Sequence, residues 1–300
     1  MVVRLPKPIV TLGVCVKNCA DTIREAIESI IAQNYPHELM EVIFVDDGSE
    51  DETLSMIRTY VQKMKMPVKV FHHEWKGLGP SRNIVVKNAT GDCIVWVDGD
   101  MILPKDFIRK QVEFMEQNPK VGIAGGNLTI YKGSNLVATL ENIVSVAYSI
   151  RYGKKAKNLP GTGGAIYRVK AIRQVGGFDE RIKGSAEDVD VAFRIKSAGW
   201  LVYRDVAFFQ EGAEDTWKAL WKKYFWHGYG GHYTFHKHKS VVRIYGMVPP
   251  VTFGIGLMYA TVAYKLTCRK VFFLLPFHYT FKRIAWCLGF MKAHMDGYGH

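Results

Sequence analysis

The first hundred residues alternate short apolar runs with stretches whose apolar positions recur every three or four residues. Ile9–Val16 is an apolar run that stops at Lys17-Asn18. Val42–Val45, Val68–Phe71 and Cys93–Val97 repeat the pattern, the first ending at Asp46-Asp47-Gly48-Ser49 and the last at Asp98-Gly99-Asp100. Runs of this length bounded by polar turns predict buried strands. Between them, Thr22–Gln33 puts Ile23, Ala26, Ile27, Ile30 and Ile31 on one helical face, with Asp21 placed to cap it and Asn34-Tyr35-Pro36 to end it. Further helices are predicted over Asp51–Met64 and from Pro80, which suits a first helical turn, to Asn88. Strands alternating with helices predict an α/β fold with a mostly parallel sheet covered on both faces. In such sheets ligands bind beyond the carboxyl ends of the strands.

After Pro104 the regularity weakens. Phe107–Gln117 reads as helix, Val121–Asn127 as strand, and Leu136–Ile150 as helix. Val169–Val175 is a short helix ending at Gly176-Gly177, and Glu187–Ala198 is a helix closed by Gly199. Ile244–Tyr264 carries no charge and is bracketed by Arg243 and Lys265, which gives it the length to span a bilayer, although Pro249, Pro250, Gly254 and Gly256 interrupt it. Val271–Phe281 is too short to cross, and the stretch on to Met291 reads as an interfacial amphipathic segment.

Composition sharpens this division. The chain of 300 residues is 48% hydrophobic, enough for a substantial core. Its formal charge of +12 is concentrated toward the end, where the basic residues from Lys218 to Lys292 face one acid, Asp296. A basic tail suits nucleic acid, anionic lipid or a phosphorylated substrate, and the apolar runs between the charges favour lipid. No recognition-helix or ribonucleoprotein pattern supports nucleic acid. Cys15, Cys19, Cys93, Cys268 and Cys287 have no paired zinc spacing and fit a reduced, cytosolic setting, with Cys15 and Cys19 as core thiols. Met1–Val10 has no apolar core of a secretory signal. His232, His236 and His238 lack neighbouring Cys, Asp or Glu and read as a solvated, basic, membrane-proximal segment, although His232 and His236 would share a helix face.

Three acid clusters carry the candidate chemistry. Asp98 and Asp100, one residue apart after a strand, can meet a divalent ion from one side, and oxygen ligands of this kind suit Mg²⁺ or Mn²⁺. Their ordinary structural role would be a turn that caps Leu103–Lys110. Asp46 and Asp47 can accept hydrogen bonds from a ribose or a base edge, or else cap the second helix. Glu187-Asp188 opens a helix after Lys183-Gly184-Ser185. One of these carboxylates can take the proton of an acceptor hydroxyl, or both, with Asp190, can simply suit a helix N-terminus. Gly77-Leu78-Gly79 is not a dinucleotide fingerprint, because that glycine pattern should follow the first strand.

The combination is more specific than its parts. Val45-Asp46-Asp47-Gly48-Ser49, Ser81-Arg82-Asn83, Asp98-Gly99-Asp100, Gly161-Thr162-Gly163-Gly164-Ala165, Gly176-Gly177-Phe178-Asp179 and Glu187-Asp188 occur in this order. This resembles the large inverting glycosyltransferase family numbered two, with the GT-A fold, over roughly Pro8 to Gly230. The resemblance implies a nucleotide-diphosphate sugar as donor and Mn²⁺ or Mg²⁺ as cofactor. It implies that Asn18, Asp46 and Asp47 hold the nucleoside, that Arg82 lies on the donor side, and that Asp98 and Asp100 hold metal and diphosphate. Asp188 would be the general base with Glu187 beside the acceptor, and Gly163 and Gly164 would lie beneath the transferred sugar. Phe209-Gln210-Glu211-Gly212 departs from the family by lacking a histidine near the donor phosphates, which leaves Lys222, Lys223 and His227 as candidates for that contact.

These readings predict a GT-A domain over residues 1–230 and a basic, apolar helical tail over 231–300 with candidate membrane segments at 244–264 and 271–291. The expected function is inverting sugar transfer at the cytoplasmic face of a membrane, onto a lipid-linked sugar, polyprenyl phosphate or polysaccharide. The alternative is a non-catalytic GT-A module that binds nucleotide-sugar or a partner.

Overall fold

The computed structural model describes residues 10–129, 135–152, 159–204, 206–212, 214–239 and 244–299. Ile9, at the start of the first expected strand, Pro8 and Arg243 lie outside the described residues. The chain opens with β1 (Val10–Val16), α1 (Ile23–Ile31), β2 (Met40–Asp47), α2 (Thr53–Val61), β3 (Val68–His73), α3 (Leu78–Asn88) and β4 (Cys93–Trp96). It continues through β5 (Met101–Ile102), α4 (Phe107–Gln117), β6 (Val121–Ala124), β7 (Asn127–Leu128), α5 (Leu136–Tyr152), β8 (Ile166–Arg168), α6 (Val169–Gln174) and α7 (Glu187–Ser197). It ends with β9 (Leu201–Tyr203), β10 (Phe208–Glu211), α8 (Trp217–Lys237), α9 (Pro249–Thr267) and α10 (Leu275–Met295).

Two compact units result. The first takes the described residues of Met1–Asn127, Asn158–Asp179 and Val191–Glu211; the second takes those of Leu128–Lys157, Glu180–Asp190 and Gly212–His300. In the first unit a seven-stranded sheet has the order β3-β2-β1-β4-β8-β6-β9. Strand β8 runs antiparallel to β4 and β6, and the other pairs are parallel. Leu12, Val14, Val42 and Phe44 are fully buried, as expected of central strands covered on both faces. Trp96 fills the centre of one face, with Tyr167 and Phe178 edge-on to it at 6.2 and 5.4 Å between ring centroids.

The predicted α/β layout therefore holds, with local corrections. Helix α1 begins at Ile23 behind Thr22, and no side chain caps it; the Thr22 and Ile23 amides donate to the Cys19 carbonyl instead of to Asp21. The expected strand Val121–Asn127 divides into β6 and β7 at Gly125-Gly126. A Cβ on Gly126 would lie 2.5 Å from the Gly164 carbonyl oxygen, so the backbone turns there against another segment. Asn127 then donates to the Ala207 carbonyl at 2.9 Å. Strand β10 pairs antiparallel with β5, Gln210 opposite Ile102 and Glu211 opposite Met101.

The second unit is helical. Leu140, Ile143 and Ala147 of α5 pack with Tyr259, Ala260 and Ala263 of α9 and with Leu275 and Tyr279 of α10. Helices α8 and α10 approach closely through glycines: a Cβ on Gly228 would lie 1.9 Å from the Trp286 carbonyl oxygen, and one on Gly289 equally close to that of Phe225. The expected boundary at 230/231 falls inside the continuous α8, and α5 joins the same unit from the middle of the sequence. The charge-free run Ile244–Tyr264 is interrupted as its prolines imply, by a 3-10 turn over Ile244–Met247 before α9 begins with Pro249 in its first turn. Among the described residues, no helix is long and apolar enough to cross a membrane.

Candidate active site

Three loops meet at the carboxyl ends of β1, β2 and β3, and their polar side chains hold one another. Asp46 is fully buried; it accepts from the Ser49 amide at 3.2 Å and lies 2.7 Å from His72 Nδ1. Asp47 accepts from the amides of Lys76 and Gly77 at 2.8 and 2.9 Å. Gly48, at φ +70°, allows this closure, since a Cβ there would lie 2.7 Å from the Trp75 nitrogen. Asn18, at φ +49°, accepts from the Glu50 amide at 2.8 Å, and its own amide donates to Ser49 Oγ at 2.9 Å. Neither acid caps α2, whose N-cap position is Glu52. Asp46, Asp47 and Asn18 thus shape the strand ends by binding neighbouring loops.

One residue in this region escaped the sequence reading. Trp75 is 68% exposed on the loop that Asp47 holds, with Lys17 Nζ 5.6 Å from its ring centroid. An isolated tryptophan in a polar stretch carries no periodic signal, and only the loop closure brings it to the strand ends.

At the end of β4, Asp98-Gly99-Asp100 leads into β5, and α4 starts later with Asp106 at its N-cap. The pair of acids therefore caps no helix. A Cβ on Gly99 would lie 2.7 Å from Cys19 Sγ, so this turn sits tight against the segment after β1. Burial pushes the Cys19 thiol up to about 12, only partly opposed by its hydrogen bond with Thr53, with Asp51 and Asp100 raising it further. Burial does the same to Cys15, also to about 12, against the pull of Arg82. Both stay protonated at neutral pH; Cys15 is buried as expected of a core thiol, whereas Cys19 is half-buried.

Helix α3 delivers Arg82 to this turn. Its guanidinium is buried between the rings of Trp96 and Phe178, at 5.9 and 5.7 Å, and one nitrogen lies 3.9 Å from Asp98 Oδ1. Antiparallel pairing of β8 with β4 brings the 161–165 segment alongside. A Cβ on Gly163 would meet Asp98 Oδ2 at 3.4 Å. Gly164, at φ +62°, leaves no room for a Cβ, which would lie 2.3 Å from the Phe209 ring. Gln111 donates to the Gly164 carbonyl at 2.6 Å and fixes the turn from below. Opposite Met101, one residue beyond Asp100, stands Glu211, a carboxylate within the segment that lacks the family's histidine.

The second unit holds the remaining candidates. Glu187 is buried and Asp188 half-buried in the first turn of α7, directly after Ala186 at the strained φ of +84°. Asp190 is fully buried and accepts from Lys237 Nζ at 2.7 Å and His238 Nε2 at 2.8 Å, tying α7 to the end of α8. Lys222 is exposed, and Lys223 lies 3.5 Å from Glu214. Burial, reinforced by Lys223 and Arg283, pulls the His227 imidazole down to about 4, so it is neutral at physiological pH and offers phosphate no positive charge. Two of the three tail histidines are also corrected: His232 is fully buried within α8, and His238 is paired with Asp190.

The glycosyl transferase family 2 model matches residues 11–176, which takes in every strand end just described except that of β10. The chain belongs to glycosyl transferase family 2. This family 2 glycosyltransferase is 29% identical over 206 residues to EpsE of Bacillus subtilis (strain 168), a protein named as a glycosyltransferase, covering 66% of the chain and 69% of EpsE. It is 26% identical to the poly-β-1,6-N-acetyl-D-glucosamine synthase of Staphylococcus aureus (strain MSSA476), covering 72% of the chain but only 52% of the synthase. Among solved structures, it shares a fold with a mannosyltransferase of Pyrobaculum calidifontis in complex with GDP-Man and Mn²⁺, at TM-score 0.69 and 18% identity over 97% of this chain and 88% of that one. TarS residues 1–349 of S. aureus in complex with UDP-GlcNAc give TM-score 0.52 and 19% identity, over 96% and 92% of the two chains. These likenesses establish the GT-A fold of this transferase.

Proposed function

We propose that the chain is an inverting glycosyltransferase that moves a sugar from a nucleoside-diphosphate donor to a membrane-held acceptor: a lipid-linked sugar, a polyprenyl phosphate or a surface polysaccharide. The observation that carries this reading is the Asp98-Gly99-Asp100 turn, set beside buried Arg82 and the Gly163-Gly164 turn at the carboxyl end of the sheet. Two carboxylates one residue apart fit a hard divalent ion, and the Asp98 side chain is 36% exposed and so open to a ligand. Asp98 and Asp100 would hold Mn²⁺ or Mg²⁺, and Glu211, paired with Met101 in the strand register, would be a further oxygen donor. When bound, such an ion offsets charge developing on the leaving diphosphate.

The chain's own residues do the rest. Arg82, locked between two rings, presents a fixed positive charge on the donor side without losing side-chain freedom on binding. Asn18, Asp46 and Asp47 hold the loops around the nucleoside, and exposed Trp75 offers a face on which its base can stack. Gly163, beside Asp98, lets backbone come close to the sugar, and Gly164, closed off by the Phe209 ring, fixes the turn beneath it. The acceptor oxygen forms its bond to the anomeric carbon as the bond to the diphosphate oxygen breaks on the opposite face, which inverts the centre in one step. Asp188 takes the hydroxyl proton, with Glu187 beside the acceptor; a phosphate acceptor has no such proton, and Asp188 then orients it. The catalytic site would work at the cytoplasmic face of the membrane.

Thermal shift with UDP-, GDP- and dTDP-sugars, with and without Mn²⁺, tests the donor site. One nucleotide class is expected to stabilise the wild type in a metal-dependent way. Asp100→Ala should abolish that dependence, and Glu211→Gln should weaken it. Sugar transfer to membrane acceptors should fall at least ~100-fold in Asp188→Asn, in keeping with loss of a general base. A folded wild-type protein that no nucleotide-sugar stabilises would sink the reading in favour of a non-catalytic module.

A further inference from the structure

Within the helical unit, three histidines converge from two helices. His232 and His236 stand one turn apart on α8, and His294 lies in the last turn of α10. Their nearest ring nitrogens all lie within 4.8 Å of one another. We propose that His232, His236 and His294 form a zinc site that pins α8, α10 and the C-terminal turn together.

The hydrogen bonding of His232 sets up the site. Its Nδ1 lies 2.6 Å from the Tyr298 carbonyl oxygen. A carbonyl only accepts, so Nδ1 carries the proton and Nε2 presents its lone pair on the other side of the ring. Donation from the far nitrogen to a backbone carbonyl is the arrangement that orients a metal-bound imidazole and raises its basicity. Nε2 of His232 faces His294 Nδ1 at 3.4 Å. Two nitrogens each about 2.0–2.1 Å from a tetrahedral zinc ion are separated by about 3.4 Å, so this pair already has the spacing of two zinc ligands. The third nitrogen needs only side-chain rotation, because His294 is exposed and His236 half-buried. His232 itself cannot drift: it is fully buried, with the Phe290 ring 4.7 Å away.

Nitrogen donors select among ions. Three imidazoles suit zinc and its transition-metal neighbours and do not suit Mg²⁺ or Ca²⁺, which require oxygen. Three protein ligands leave a fourth position for water or a small anion. The chain beyond the site gives the ion a structural consequence. Tyr298, whose carbonyl holds His232, stacks on Tyr229 at 4.9 Å, and its hydroxyl donates to the Arg181 carbonyl at 3.2 Å and binds the Lys183 amide. The site therefore tethers the C-terminal turn to the 181–183 segment that leads into α7.

The test uses the untagged chain, stripped with a chelator and titrated with Zn²⁺ and Co²⁺, in a background carrying Asp98→Asn and Asp100→Asn so that the oxygen site is removed. One equivalent of zinc is expected, with the visible bands of tetrahedral Co²⁺ and a rise in melting temperature. His294→Ala, at an exposed position, and separately His236→Ala should each weaken zinc at least ~10-fold and lose the cobalt bands, while the chelator-treated melting temperature stays at the wild-type value. Folded protein that takes up no zinc would overturn the proposal. So would zinc affinity and cobalt spectra unchanged in both variants. Neither result bears on donor binding.

Discussion

At the scale of single residues, the site rests on positions where a side chain is required and on others where one is forbidden. Gly164 belongs to the second kind, through both its left-handed backbone and the Phe209 ring that occupies the place of a Cβ. Phe209 is itself wedged against Phe107 at 6.1 Å and has little freedom to retreat. Gly164→Ala is expected to cost about 2–4 kcal/mol of stability, read as a lowered urea midpoint with an unchanged slope. Wild-type stability in that variant would show the turn to be adaptable. Asp98 and Asp100 were legible in the sequence because their signal is local: two acids directly after an apolar run. Glu211 and Trp75 were not, because antiparallel pairing with β5 and the loop closed by Asp47 bring them to the site. Asp46 and Asp47 stand out in the sequence as candidates, yet their partners Ser49, His72, Lys76 and Gly77 could be read only from the folded loops.

At the scale of elements, the helical unit contains a buried ionic cluster that couples its packing to pH. Glu141 of α5 meets Lys282 of α10 at 2.5 Å and accepts from the Tyr224 hydroxyl of α8 at 2.7 Å. Burial opposes the Glu141 charge, but Lys282, His278 and these hydrogen bonds outweigh it and hold the carboxyl down at about 2. Burial pulls His278 down to about 3 and His227 to about 4, so both imidazoles are neutral in the folded state. All three groups take up protons more readily when unfolded. Their contributions are therefore complete above pH about 6.5 and are lost on acidification, the histidines from about 6.5 down and Glu141 from about 4.5 down to about 2. Stability should fall by a few kcal/mol between pH 7 and pH 4. Glu141→Gln should remove the part of that loss below about pH 4.5 and lower stability at pH 7 by ~3 kcal/mol, since it leaves Lys282 buried without its counter-charge. A flat stability profile by chemical denaturation would refute the assignment. The helices themselves were visible in the apolar patterning of α5 and the tail, but their docking through Gly228 and Gly289 was not.

At the scale of the whole molecule, one feature of the helical unit bears on where the enzyme works. Val251 and Leu257 of α9, and Phe277, Ile284, Leu288 and Met291 of α10, are exposed large apolar side chains, and Lys265, Arg269 and Lys270, at the end of α9 and just after it, are exposed too. Such a surface favours peripheral contact with anionic lipid. Sedimentation with phosphatidylglycerol vesicles is expected to recover the wild-type chain, with affinity falling on added salt and reduced by Phe277→Ser and Arg269→Glu. Equal recovery with neutral vesicles would remove the electrostatic part, and no recovery with either would remove the membrane reading. The sequence by itself determined the α/β alternation, the family motifs and the strand-end acids, because each depends on neighbours within a few positions along the chain. Tertiary structure decided the partition into units, since α5, the start of α7 and α8–α10 come together from three separated stretches. It also left no described helix long and apolar enough to cross a bilayer, and it buried or paired tail histidines read as solvated, His232 and His238. Those outcomes depend on contacts between residues far apart in the chain, which periodicity and local spacing do not encode.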